Sequence, residues 1–318
     1  MKARSLVLVL SLVLALIVSS VAQAQDIDTC FGLSEADCEV LTSASGQALM
    51  IAENFTMDYG LDVNITGIPD GDVIFSHSGV GPVALDPMAD FPLSLNLMTQ
   101  NSFDIAGDAD EGPVPFAIYE GTLYMQIEDQ WVGMNLIEMM EDPEFAAQFE
   151  GLTDPEAMAE ELSGQMPEID DATAEQLAGL LSIDGFLSQV RNGDTFEFTA
   201  DIGALLSAPE FNEAITELAA VDESGMAMGM GMMLPMVLEN GVIQVNQRVN
   251  ESLGALDRFE VYVDATINGA LLDPELEEPI VIDINFWVEL SALNDSPVTF
   301  DVPAEVEMLD PEDANFDF

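Results

Sequence analysis

Every second residue over positions 280–290 is apolar, with Ile280, Ile282, Ile284, Phe286, Val288 and Leu290 set against Asp283, Asn285, Glu289 and Ser291 on most of the other face. This is the period of an extended strand with one dry side. The segment before it repeats the pattern: Phe259, Val261, Val263, Ala265 and Ile267 oppose Glu260, Asp264 and Thr266. Asn268-Gly269 then predicts a tight turn between two antiparallel strands. Near the other end, Phe55, Met57, Tyr59, Leu61, Val63 and Ile65 alternate with Thr56, Asp58, Gly60, Asp62, Asn64 and Thr66, a third long strand. Shorter strands are expected at about 73–78, 93–105 and 196–200, with a hairpin-like pair over 116–132 turning at Glu120-Gly121 and Glu128-Asp129. Gly81-Pro82 and Gly112-Pro113-Val114-Pro115 predict loops between them.

Between these strands the period turns helical. Ser34, with Asp37 at capping-box spacing, opens a helix expected to run to about residue 54. Over 135–192, Leu177, Leu180, Leu181, Phe186, Leu187 and Val190 form one stripe, and Thr173 with Gln176 fits another cap. A second excursion, about 204–239, includes a helix opened by Ser207-Ala208-Pro209-Glu210, with Phe211, Ala214, Ile215 and Leu218 on one face. Strands and helices segregated in this way predict an α+β fold, a one-sided antiparallel sheet with helices available to cover its apolar face.

Residues 1–24 have the order of a secretory signal peptide: Lys2 and Arg4, an uncharged run over 6–18, then Ala22-Gln23-Ala24. Cleavage is expected near Ala24, with an uncleaved anchor as the alternative, and the destination is periplasmic or secreted. No cysteine follows the cleavage point to take a lipid. The expected body is 25–303, and 304–318 form an acidic tail. Cys30 and Cys38 are placed to bridge in an oxidising compartment, two buried thiols being the other possibility.

All 60 acidic residues lie beyond residue 24, where Arg191, Arg248 and Arg258 are the only basic side chains, a net charge of −57. A phosphate backbone finds no counter-charge on such a chain, so nucleic acid is excluded, and an anionic membrane surface repels it. Enzymatic chemistry has little to work with. No lysine remains, His77 is the single histidine and reads as a polar group at a strand end, and no Gly-x-Ser-x-Gly, phosphate-cradling or dinucleotide motif occurs. No cofactor or metal is expected, since Gly107-Asp108-Ala109-Asp110-Glu111-Gly112 has acids without the later glutamate of a calcium loop. Residues 225–238 are charge-free and rich in methionine. Met226, Met230 and Met233 follow helical spacing, which suits a packed lid helix, an adaptable ligand-facing surface, or, least well, soft Cu(I) ligation.

Two further segments, IYEGTLYMQIEDQWVG with Tyr119, Gly121, Tyr124 and Trp131, and NDSPVTFDVPAE with Asn294, Pro297, Val298 and Pro303, join the order of elements in pointing to one group of proteins. The chain resembles the extracytoplasmic lipoprotein-carrier superfamily, the LolA/LppX/LprG-like proteins, over most of 34–308. The resemblance implies a sheet curled into a half-barrel whose concave apolar face, lidded by helices, holds acyl chains. On that expectation the ligand meets Tyr59, Leu61, Val63, Phe196, Phe198, Val261, Val263, Ile284, Phe286 and Val288 from the sheet, and Met226, Met230 and Met233 from the lid. The expected partners are a hydrophobic small molecule or lipid and a transient membrane or protein hand-off partner, with the chain itself a monomer. The alternative is a non-catalytic secreted structural or interaction protein whose interior is filled.

At a net charge of −57 the folded state repels itself, and added salt screens that repulsion as the Debye length falls from about 30 Å at 0.01 M to about 3 Å at 1 M. The melting temperature is therefore expected to rise by many degrees between those two sodium chloride concentrations. A flat melting curve across the range would contradict it.

Overall fold

The long alternating segments pair with one another into one sheet, and that sheet organises everything else. The computed structural model describes residues 32–45, 53–68, 71–86, 89, 91–105, 108–127, 130–140, 183–211, 238–272 and 278–309. The expected signal peptide, Cys30, the greater part of both helical excursions with Met226, Met230 and Met233, and the tail beyond residue 309 lie outside the described residues.

The strands are β1 (Asn54–Thr66), β2 (Val73–Leu85), β3 (Leu93–Ile105), β4 (Asp108–Tyr119), β5 (Thr122–Ile127), β6 (Gln130–Asn135), β7 (Leu187–Asn192), β8 (Thr195–Asp201), β9 (Leu238–Asn250), β10 (Ala255–Ile267), β11 (Ile280–Ser291) and β12 (Glu307–Met308). Their order is β12-β6-β5-β4-β3-β2-β1-β11-β10-β9-β8-β7. Two antiparallel meanders, β1 to β6 and β7 to β11, are thus joined edge to edge where β1 pairs with β11. Every pairing is antiparallel except that of the two-residue β12 along β6. The sheet is open, since its end strands β12 and β7 do not pair with each other.

Four helices are described: α1 (Glu35–Ser45), α2 (Leu136–Met139), α3 (Ile202–Ser207) and α4 (Gly269–Leu272). Ser34 caps α1 as its spacing predicts, its Oγ accepting from Asp37 N at 3.2 Å and donating to Asp37 Oδ2 at 2.6 Å. Asp201 caps α3 by accepting from Ala204 N at 2.9 Å. No described helix is long and apolar enough to cross a membrane. Among the described residues no cysteine is free.

Several sequence expectations are corrected. Residues 187–192 are a strand, not the end of a helix: Asn192 opposes Thr195 across the two-residue turn Gly193-Asp194, whose first position takes a φ of +69° that glycine adopts freely. Gly81-Pro82 lies inside β2 and Gly112-Pro113-Val114-Pro115 inside β4. Among the described residues β5 pairs only with residues 116–119 of β4, so the proline-containing stretch before it pairs on its β3 side alone, an edge position of the kind where proline is tolerated. Asn268-Gly269 leads into α4 in place of a tight hairpin. The hairpin-like pair expected over 116–132 is matched by β4 to β6, whose ends fall at its two turns, Glu120-Gly121 and Glu128-Asp129.

Two close approaches lock the middle of the sheet. The Trp287 ring lies over Gly60, its direct neighbour in β1, and the Tyr59 ring lies over Gly79 on the opposite face. A Cβ at either glycine would collide with the ring. The chain after β11 then straps the outer, polar face. Asn294, at a φ of +59°, accepts from Glu53 N at 2.8 Å, and Asn54 Oδ1 accepts from Ser296 N at 2.8 Å. Asn96 Nδ2 donates to Thr299 O at 2.8 Å, and Phe300 settles among Tyr119, Tyr124 and Trp131 with ring centroids 6.3, 5.0 and 5.8 Å away. The aromatic residues that carry the family resemblance therefore build this clasp on the polar face.

Phe300→Ala removes the centre of that aromatic group and is expected to cost about 2 kcal/mol in denaturant unfolding. It should also free β12, so that the Leu309 amide, bonded to Gly133 O at 2.8 Å, exchanges early. Unchanged stability and unchanged protection at Leu309 would show that the strap holds without its aromatic anchor.

Candidate functional site

Because side chains alternate, the register decides which residues share a face. One row across the sheet reads Gln189, Phe198, Val245, Val261, Phe286, Leu61, His77, Asn101, Gly112 from β7 to β4. The row on one side of it holds Phe196, Gln247, Phe259, Val288 and Tyr59, and the row on the other holds Val263, Ile284 and Val63. All ten sheet residues expected to meet a ligand thus lie on one face in three adjacent rows.

They differ in how far they are covered. Phe196 is 1 % exposed, packed with Ala44 and Val249 beneath α1, and Val263 is 5 % exposed in a cluster with Ile183, Phe186, Phe211 and Ile243. These two are packed core, a correction to the expectation of an open surface there. A separate cluster of Phe55, Val83, Phe91, Leu95, Leu97, Ile118 and Leu136 closes the β1 to β5 side. Ala265, Ile267, Ile280 and Ile282 close the far end of β10 and β11. Leu61, Val63, Phe286 and Val288 belong to none of these buried clusters and are half-buried. An incompletely covered apolar strip therefore crosses the centre of the face.

The strip extends further than the sequence suggested. Val63 is followed across the sheet by Phe75 and Phe103, whose rings meet edge to face at 6.3 Å, and Phe103 remains 41 % exposed. The alternation that would have marked Phe75 is interrupted in β2 by His77, Gly79 and Gly81. His77 itself is mid-strand and half-buried, not a surface group at a strand end. Its Nε2 is 2.9 Å from Tyr59 Oη, and its Nδ1 bonds Asn101 Oδ1. With the Asn101 oxygen as acceptor, Nδ1 carries the proton and Nε2 accepts from the tyrosine. Burial pushes the Tyr59 hydroxyl up from its ordinary value, so it stays a neutral donor.

The opposite face carries the charge. Arg248 and Arg258 lie directly opposite each other, a repulsive pair, and Glu289 accepts from both at 3.0 and 2.8 Å. Arg248 also binds Asp257 at 2.7 Å and Arg258 approaches Glu260 at 3.6 Å, whereas Arg191 lies on the apolar face opposite Phe196, its guanidinium 5.2 Å from that ring, and binds Asp37 at 2.7 Å and also Glu251. Each arginine is thus held by two carboxylates. Hydrogen bonding to Arg248, then to Arg258, holds the Glu289 carboxyl below its usual range. Asp264 faces Asp283 across the β10–β11 pair; burial first, and then its like-charged neighbour, push the Asp264 carboxyl up. The arginine cluster borders a surface hollow of about 360 Å³ lined by Arg248, Asp257, Glu289 and Leu293. Among the described residues no group of three or more His, Cys, Asp or Glu is placed to hold a metal ion.

No family model matches the chain, and no curated protein matches it. Among solved structures, the chain is similar to LprF from Mycobacterium bovis at 13 % identity and a TM-score of 0.28, covering 86 % of this chain and 99 % of that one. It is also similar to lipovitellin, in a structure concerned with lipid–protein interactions, at 8 % identity and a TM-score of 0.28, covering 78 % of this chain and 26 % of that one. Likenesses of this depth identify no family.

The two perturbed carboxylates predict opposite pH signatures. Glu289 is lowered in the folded state, so its contribution is present at pH 7 and lost as pH falls through its folded value. Glu289→Gln should lower the melting temperature at pH 7, with the deficit closing below about pH 4. Asp264 is raised, so its ionisation opposes folding at pH 7; Asp264→Asn should raise the melting temperature there, with the gain vanishing below about pH 4. Deficits or gains independent of pH would contradict these assignments.

Proposed function

We propose that this chain is an exported, non-catalytic carrier of a hydrophobic ligand, a lipid or an acyl chain, bound by burial on the apolar face of its sheet. The observation that supports the reading is the half-buried strip of Leu61, Val63, Phe286 and Val288, which the surrounding core clusters leave incompletely covered. Apolar surface left open in this way gains about 25 cal/mol for each Å² that a ligand removes from water. One long acyl chain, at about 0.8 kcal/mol per methylene, gains on the order of 10 kcal/mol gross, enough to offset typical association costs. No charge is needed at the site, consistent with arginines that are each already held by two carboxylates.

In this reading the sheet curls as a half-barrel, and the helical segments within 135–192 and 204–239 close over the strip. Met226, Met230 and Met233 supply an adaptable lid. Cleavage near Ala24 releases the chain beyond the cytoplasm, where Cys30 and Cys38 bridge. A membrane or protein partner receives the cargo transiently.

Native mass spectrometry of the chain purified without detergent, followed by organic extraction, tests the reading. The expected result is co-purifying apolar cargo, which Phe286→Asp sheds almost entirely while melting within about 5 °C of the parent. If the parent yields no cargo and Phe286→Asp simply unfolds, the interior is filled and the chain is a structural or interaction protein.

A further inference from the structure

The half-buried strip is not uniformly apolar: besides Gln247 in one flanking row, it is bordered by one connected polar group. Along the central row, Leu61 is followed by His77 and Asn101, and Tyr59 reaches across from the adjoining row to His77. All three are half-buried, so the group borders the strip without being sealed beneath it. The hydrogen bonds run in one direction: Tyr59 donates to His77 Nε2, and His77 Nδ1 donates to Asn101 Oδ1. That leaves the Asn101 amide N–H groups as donors and the Tyr59 oxygen as an acceptor, and among the described residues neither is used otherwise. The triad contains no carboxylate or arginine and presents one acceptor and a pair of donors at the edge of the strip.

Resting on the carrier reading, we infer that the Tyr59–His77–Asn101 triad is the head-group subsite, and that its ligand is a single-chain amphiphile with a neutral, hydrogen-bonding head such as an alcohol or ester. Two observations exclude an anionic head. Arg191, Arg248 and Arg258 are each engaged by two carboxylates, and Arg248 and Arg258 lie on the opposite face. A formal net charge of −55 repels a carboxylate or phosphate approaching the strip. A cationic head finds no carboxylate within the triad to pair with.

The row also fits the length of one tail. From Leu61 through Phe286, Val261 and Val245 to Phe198, all half-buried although Val261 and Phe198 also pack against the Ile183 and Phe186 cluster, are four strand intervals, about 19 Å at the usual strand spacing. One leaflet of a bilayer's hydrocarbon core is about 15 Å thick. A chain whose head meets Asn101 and Tyr59 therefore lies across the strands with its tail spent before Gln189, the buried polar residue that ends the row at 8 % exposure.

Titration of the delipidated full-length chain with hexadecane, hexadecanol and hexadecanoate at pH 8, read by native mass spectrometry and calorimetry, tests this. Hexadecanol is expected to bind about 3- to 10-fold more tightly than hexadecane, the value of one good hydrogen bond, and hexadecanoate more weakly than the alcohol. Asn101→Leu should bring hexadecanol down to the level of hexadecane while leaving hexadecane unchanged. Tyr59→Phe, which keeps the ring over Gly79, should lose part of the preference and serves if Asn101→Leu fails to fold. Equal binding of all three probes, tightest binding of hexadecanoate, or a preference unmoved in both variants overturns the head-group subsite while the carrier reading stands. Failure of every probe to bind the parent chain overturns both.

Discussion

An antiparallel sheet with one apolar face must either bury that face or leave it for something else to bury, and this requirement governs the molecule. Alternation in β1, β10 and β11 puts Leu61, Val261 and Phe286 in one row, and a one-residue slip in any of the three would send its apolar set to the acidic side. The register is held from the polar face as well as the apolar one. Trp287 occupies the space that Gly60 leaves in the next strand, and Glu289 bridges two arginines that would otherwise repel across the β9–β10 pair. Buried clusters then cover the flanks, and the centre stays half-covered.

Charge and greasiness are separated by the same alternation. Arg248, Arg258, Glu289, Asp264 and Asp283 share the outer face, where each arginine neutralises neighbours in a chain that has 60 acids. The inner face carries one charged side chain at its β7 edge, Arg191, already paired with Asp37 and Glu251, and along its centre the neutral hydrogen bonds of Tyr59, His77 and Asn101. A surface of this sign keeps copies of the protein apart in solution while imposing no electrostatic cost on a neutral guest beneath it.

The long strands were legible in the sequence because their alternation is nearly unbroken: β1, β3, β10 and β11 match the expected spans closely, and the ten expected sheet residues share one face. What the sequence concealed follows from competing local signals. Leu187 and Val190 fit a helical stripe as well as a strand, and the tight turn at Gly193 decides the matter. Pro82 and the prolines of β4 read as loop residues, although those of β4 lie where, among the described residues, the strand pairs on one side only. His77 looked peripheral because its partners, Tyr59 and Asn101, are 18 and 24 residues away in the chain and are brought to it only by the register. Covered and uncovered apolar positions, such as Val263 and Leu61, are indistinguishable by pattern, since burial depends on which helix lands where.

A crystal structure of the chain purified without detergent bears most directly on whether the open strip is a binding surface. Continuous density for a linear molecule along Leu61, Phe286, Val261 and Val245, with one end at Tyr59 and Asn101, is the predicted result. Density in which the chain's own side chains close over Leu61 and Phe286, with no room between, would contradict it.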